Sequence, residues 1–126
     1  MDFVCDAHCH PACPSLRSQI ELILRDAANA HIEYIVGVSE RCILLFVLSS
    51  EDEDAVVLLD MAARYPQILP CIGLHPWYVH EEDLDSMIKL IEDNHEKIVG
   101  VGEIGLDFAQ SILSQAEVLN VWLIRQ

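Results

Sequence analysis
Basic residues are scarce in this chain: 7 Lys and Arg stand against 21 Asp and Glu, for a formal net charge of −14 over 126 residues. A polyanionic partner meets net repulsion from such a surface, so long-range steering toward a phosphate backbone is excluded. The acidity leaves two explanations open. Either it is the ordinary surface of a soluble acidic protein, or some of the acids are ligands for hard divalent cations. Long apolar runs are also missing. The longest, "CILLFVL", is far too short to span a bilayer, so no membrane partner is expected. There is no P-loop, no GxGxxG, no GxSxG and no HExxH, which removes the standard motifs for nucleotide-phosphate cradles, nucleophile elbows and zincin helices. No low-complexity stretch or linker interrupts the sequence, and 52% of the residues are hydrophobic. One folded domain over 1–126 is expected.

Five cysteines are present, an odd number, and "MDFVCDAHCH" has neither a basic n-region nor an apolar h-region. Reduced thiols in an intracellular, cytoplasmic setting are therefore expected, with nucleus and mitochondrion left open. "CDAHCHPAC" has the look of a zinc knuckle. It lacks a second ligand pair at finger spacing, which argues against a structural finger.

Short β-like runs alternate with helical patterns. "FVCDAHC", "IEYIVGV", "ILPCIGLHP" and "IVGVGEIGLD" are the strand candidates. "SLRSQIELILRDAANAH" reads as one helix with Leu16, Ile20, Ile23, Leu24 and Ala27 on one face and Ser15 as its N-cap. "SEDEDAVVLLDMAARYP" and "EEDLDSMIKLIEDNHEK" read as helices with acidic starts, and "SILSQAEVLNVWLIRQ" as a fourth. Four β-then-α units of about 30 residues imply a parallel sheet with right-handed crossovers, an α/β fold. "RCILLFVLS", Arg41 to Ser49, breaks this rhythm as a strand extension, an extra strand or an insertion.

Alternate residues of a strand share a face, so Asp6, His8 and His10 point one way. The two histidines then lie about 6.5 Å apart at Cα, close enough to converge on one ion at the end of the first strand. Asp6 either ligates directly or supports a histidine ring. His75 follows the third strand, as a site residue or as a loop histidine fixed by Pro76 and Trp77. Glu103 continues the apolar row Val99 and Val101, where a carboxylate is costly unless paired or metal-bound. Gly100, Gly102 and Gly105 weaken that strand and call for a close approach or a bend. Asp107 ends it, as a site residue or as a turn or cap. Polar residues suited to metals thus fall at the C-terminal ends of strands one, three and four, the edge where parallel α/β folds build sites. His31, His80 and His95 read as solvated, as do Glu81, Glu82, Asp83 and Asp85. Trp77, Tyr78 and Trp122 read as packing residues, although the first two, beside His75, are of the kind on which a base stacks.

"DAHCH", "IGLHP" and "VGEIGLDF", in this order and at these separations, resemble the TatD-related family of metal-dependent deoxyribonucleases, which are metallohydrolase TIM barrels. The resemblance runs from Phe3 to about Phe108 and implies the N-terminal half of a (β/α)8 barrel. It implies that His8 and His10 bind a first divalent metal and that Glu103 bridges it to a second, with Mg, Mn and Zn not distinguished. His75 would lie in the pocket near the phosphate or the metals, acting with Glu103 in catalysis, while Asp6 and Asp107 would give support. The implied reaction is hydrolysis of phosphodiester bonds in DNA by a metal-activated water. An amidase-like metallohydrolase is the competing class, and "GEIGLD" speaks against it. Two departures stand out. Arg41–Ser49 looks inserted, and residues 109–126 diverge from the pattern. A full barrel needs about 250 residues, and the resemblance implies four further β/α units that would carry two more His ligands and an Asp. The alternative is therefore an inactive, truncated member that acts, if at all, through association, its open half-barrel edge favouring self-association.

Overall fold
The computed structural model describes residues 4–39, 54–78 and 84–105. In chain order the elements are β1 (Val4–Cys9), α1 (Pro14–Arg17), α2 (Ile20–Asn29), β2 (Ile32–Val38), α3 (Asp54–Arg64), β3 (Ile68–Ile72), α4 (Leu84–Asn94) and β4 (Gly100–Val101). All strand pairs are parallel and the order is β1-β2-β3-β4, one half of a (β/α)8 barrel. The β-branched run of β2 and the period-2 pattern of β3 produce this sheet. In β3, Ile68, Pro70 and Ile72 are buried while Leu69 and Cys71 are only partly so.

The core lies between the sheet and the helices. Leu58 and Met61 of α3, Met87 of α4, and Ile68 and Ile72 of β3 form its centre, with Ala12, Ile20, Ala55 and Leu74 around them. The acidic starts of α3 and α4 survive in the structure as Asp54 and Asp85 in their first turns. α3 stops at Arg64, two residues before Pro66. None of the described helices is long and apolar enough to cross a membrane.

Three expectations are corrected. The helix expected over 15–31 is two helices. Gln19 leaves helical geometry at φ −118° and ψ 14°, and its side-chain amide donates back to the Ser15 carbonyl at 3.4 Å. Ser18 and Gln19 form the break, Ser18 being of a residue type that competes with the helix backbone for hydrogen bonds. Ser15 is not a cap either. The helix begins one residue earlier at Pro14, whose missing N–H costs nothing at a helix start, with Cys13 as N-cap. Finally, the fourth strand pairs only over Gly100–Val101, and Val99 and Val101 are 55% and 47% exposed. β4 is an edge of the described sheet, so its valines border solvent and do not extend the core. Arg41–Ser49, Asp107, the fourth helical pattern and residues 109–126 lie outside the described residues.

Candidate metal centre
The end of β1 delivers two imidazoles to one point. His8 is in the strand and His10 follows it, and their Nε2 atoms are 3.1 Å apart. The rings stand nearly perpendicular, with centroids 4.8 Å apart. Ligand bonds of about 2.0–2.1 Å place neighbouring nitrogens on one ion at roughly 3.0–3.4 Å, so this spacing suits a shared cation. Two facing lone pairs at such a distance repel unless a proton or a cation lies between them. The His10 tautomer follows from its other nitrogen: Nδ1 is 2.9 Å from the Val38 carbonyl oxygen, which can only accept. Nδ1 therefore carries the proton of the neutral ring, and Nε2 is left with the lone pair. Asp6 does not hold either ring. Its Oδ1 accepts the backbone N–H of His8 at 3.0 Å and so fixes the strand end that carries both histidines.

Glu103 arrives from the other side, just beyond β4. One of its oxygens is 3.6 Å from His8 Nε2, and the other is 3.4 Å from His75 Nε2. His8, His10 and Glu103 each offer one atom within 4.8 Å of the others, the one such group among the described residues. Two imidazoles and a carboxylate suit a borderline divalent cation. His75 has a different part. Its Nδ1 accepts the Trp77 backbone N–H at 3.2 Å, which puts the proton of the neutral ring on Nε2, facing Glu103. His75 thus presents its Nε2 side to the carboxylate at 3.4 Å, and its side chain, 13% exposed, is far more enclosed than that of His8, 48% exposed.

Packing at β3 and β4 sets where Glu103 stands. A Cβ on Gly73 would meet the backbone C, Cα and N of Gly102 at 2.8–2.9 Å. The glycine therefore allows two backbones to touch one residue before Glu103. Cys71 sits over the same segment, its Sγ 3.1 Å from where a Gly102 Cβ would be. Burial, and then the Glu103 carboxylate, push the Cys71 thiol above its ordinary value. Burial, with Asp6 and Cys13 adding to it, does the same to Cys9. Both stay protonated at neutral pH, as inert thiols beside the centre. Gly73→Ala is expected to weaken divalent-cation affinity by roughly tenfold or more, because the support of a ligand is lost. Titration calorimetry reads this directly. Gly100→Ala is the control, since its Cβ would only reach ordinary contact with Cys71 at 3.5 Å.

His8, His10, Glu103 and His75 are therefore brought together, Asp6 acts through backbone, and Asp107 is not described. His31 and His95 are exposed, as expected for solvated side chains. Trp77 packs edge-on against His75 with ring centroids 5.0 Å apart and is 38% exposed. Sequence reasoning missed Val38 and Gly73. Val38 acts through a carbonyl that every residue possesses, and Gly73 through the absence of a side chain opposite a strand not adjacent in sequence.

Known proteins supply an independent comparison. The family model described as TatD related DNase matches residues 5–126. The human (Homo sapiens) protein named deoxyribonuclease TATDN3 is 30% identical over 134 residues, covering 96% of this chain and 45% of that protein. The protein of Escherichia coli (strain K12) named uncharacterized metal-dependent hydrolase YjjV is 30% identical over 105 residues, covering 81% of this chain and 37% of its own. The crystal structure of YjjV, a TatD homolog, superposes with a TM-score of 0.70 at 24% identity, over 94% of this chain and 42% of that one. The chain spans less than half the length of these relatives.

Proposed function
We propose, from the premise that this chain belongs to the TatD related DNase family, that His8, His10 and Glu103 hold divalent cations for the hydrolysis of phosphodiester bonds in DNA. The observation that carries this reading is the convergence of two imidazoles from the end of β1 and a carboxylate from beyond β4 within 4.8 Å. A bound divalent cation would supply Lewis-acid polarisation of the phosphodiester and a nucleophilic water at neutral pH. The chain's own residues do the positioning. Val38 fixes the His10 ring, Asp6 fixes the His8 backbone, and His75 stands with its Nε2 3.4 Å from Glu103. Two cations would be held at these residues, with Asp107 as further support. The choice among Mg, Mn and Zn is left to titration.

A test uses the purified chain with single-stranded oligonucleotides labelled at either end, in Mg²⁺ or Mn²⁺. Labelled product is expected, and the two labels give the direction of cleavage. The double variant His8→Ala, His10→Ala should form none, and cleavage by the intact chain no faster than by this variant would overturn the reading. A second reading is favoured by the open edges. β1 and β4 each pair on one side only among the described residues, and Val4, Val99 and Val101 are exposed along them. In that reading the chain is inactive and self-associates through its half-barrel edge. Light scattering on the same preparation separates the two: an inactive oligomer supports association, an active monomer contradicts it.

A further inference from the structure
We infer that Trp77 is the base-stacking residue of this centre, taking the nucleobase beside the phosphate to be cleaved. The inference rests on the nuclease reading of His8, His10 and Glu103, and it narrows the substrate to strands whose bases are unpaired at the site.

Trp77 lies in the turn that follows β3, closed by the Tyr78 N–H donating to the His75 carbonyl at 3.0 Å. Its own backbone N–H is fixed on His75 Nδ1. The indole stands at 73° to the His75 ring with centroids 5.0 Å apart, and His75 Nε2 is 3.4 Å from Glu103. The indole is therefore one side chain removed from the carboxylate of the metal centre. Tyr78 flanks the same imidazole, centroids 5.7 Å apart, so His75 is enclosed while Trp77 keeps 38% of its surface exposed.

Charge makes this aromatic surface matter. The chain carries −14, and Arg25, Arg64 and Lys89 are each paired with an aspartate, Asp26, Asp60 and Asp93. With so few basic residues, strand affinity gains from a source besides the cations at the centre. Stacking on an aromatic face provides one, and it tolerates every base. The side chain is separable from the support of His75, because the bond to Nδ1 comes from the Trp77 backbone and survives substitution.

The experiment compares single-stranded oligonucleotides bearing either a normal or an abasic nucleotide at the cleaved position. The intact chain is expected to prefer the normal substrate in kcat/KM, and Trp77→Ala to reduce that preference roughly tenfold. Trp77→Phe should keep most of it. A second measurement needs no turnover. In a His8→Ala, Trp122→Phe chain Trp77 is the one remaining tryptophan, and oligothymidylate should quench its fluorescence, whereas an abasic oligomer should not. Cleavage with an unaltered preference in Trp77→Ala, or equal quenching by both oligomers, overturns the stacking role. Quenching that depends on the base without any cleavage by the intact chain upholds it and overturns the nuclease reading instead.

Discussion

Replacement of His10 by alanine is expected to lower divalent-cation affinity at least about 100-fold, more than the loss of a supporting residue brings. His10 is the best-fixed ligand of the centre. Its Nδ1–H is held by the Val38 carbonyl at 2.9 Å, and its Nε2 stands 3.1 Å from that of His8. Without it, His8 and Glu103 remain as two ligand atoms 3.6 Å apart, too few to displace the hydration of a cation. Titration calorimetry with Mn²⁺ gives the affinity. His95→Ala is the control: that histidine is exposed just after α4 and hydrogen-bonds the Glu92 carbonyl, so the affinity of this variant should match that of the intact chain. Thermal unfolding adds a second readout. A cation that binds only the folded chain raises the midpoint, and in His10→Ala this rise should vanish. With the cation chelated, the variant should lose no more than about 1 kcal/mol, the worth of one hydrogen bond. Unchanged Mn²⁺ affinity in His10→Ala would remove the histidine from the ligand set.

Leu58→Ala is expected to destabilise the fold by about 2–5 kcal/mol. Leu58 is fully buried in α3, and it packs over Gly37 of β2. A Cβ at Gly37 would stand 2.7 Å from Leu58 Cδ1, 3.0 Å from Pro11 Cγ and 3.3 Å from Ile68 Cγ2. Gly37→Ala by itself therefore overpacks the core and should cost about 1–3 kcal/mol. The two changes are complementary: the space left by Leu58→Ala admits the new methyl. In the double variant the costs should fall short of additive by more than about 0.5 kcal/mol, the usual limit for independent sites. Urea unfolding of the four chains measures this, and strict additivity would show that Leu58 does not set the approach of α3 to β2. The contact matters to the centre because Val38, whose carbonyl orients His10, is the residue after Gly37.

Different parts of this molecule were legible to different degrees. β2 was readable because a β-branched run has one good conformation, and α3 and α4 because their apolar stripes and acidic first turns agree. The histidines were readable because a two-residue spacing in a strand has one geometric meaning. Glu103 stood out by cost, as a carboxylate ending an apolar row, though the structure puts those valines at an exposed edge. The helix break at Ser18 and Gln19 was hidden, since the apolar spacing runs through it without interruption.

What the sequence determined by itself was the α/β order of the elements and the ligand types at the strand ends, since both follow from local periodicity and side-chain chemistry. What only the tertiary structure decided was which atoms meet. The Val38 carbonyl reaches His10, the bare backbone of Gly73 admits Gly102, and the ring of His75 brings its Nε2 to Glu103. Each of these joins segments far apart in the chain, and their distances are set by how the parallel strands register against one another, a quantity that no local pattern contains.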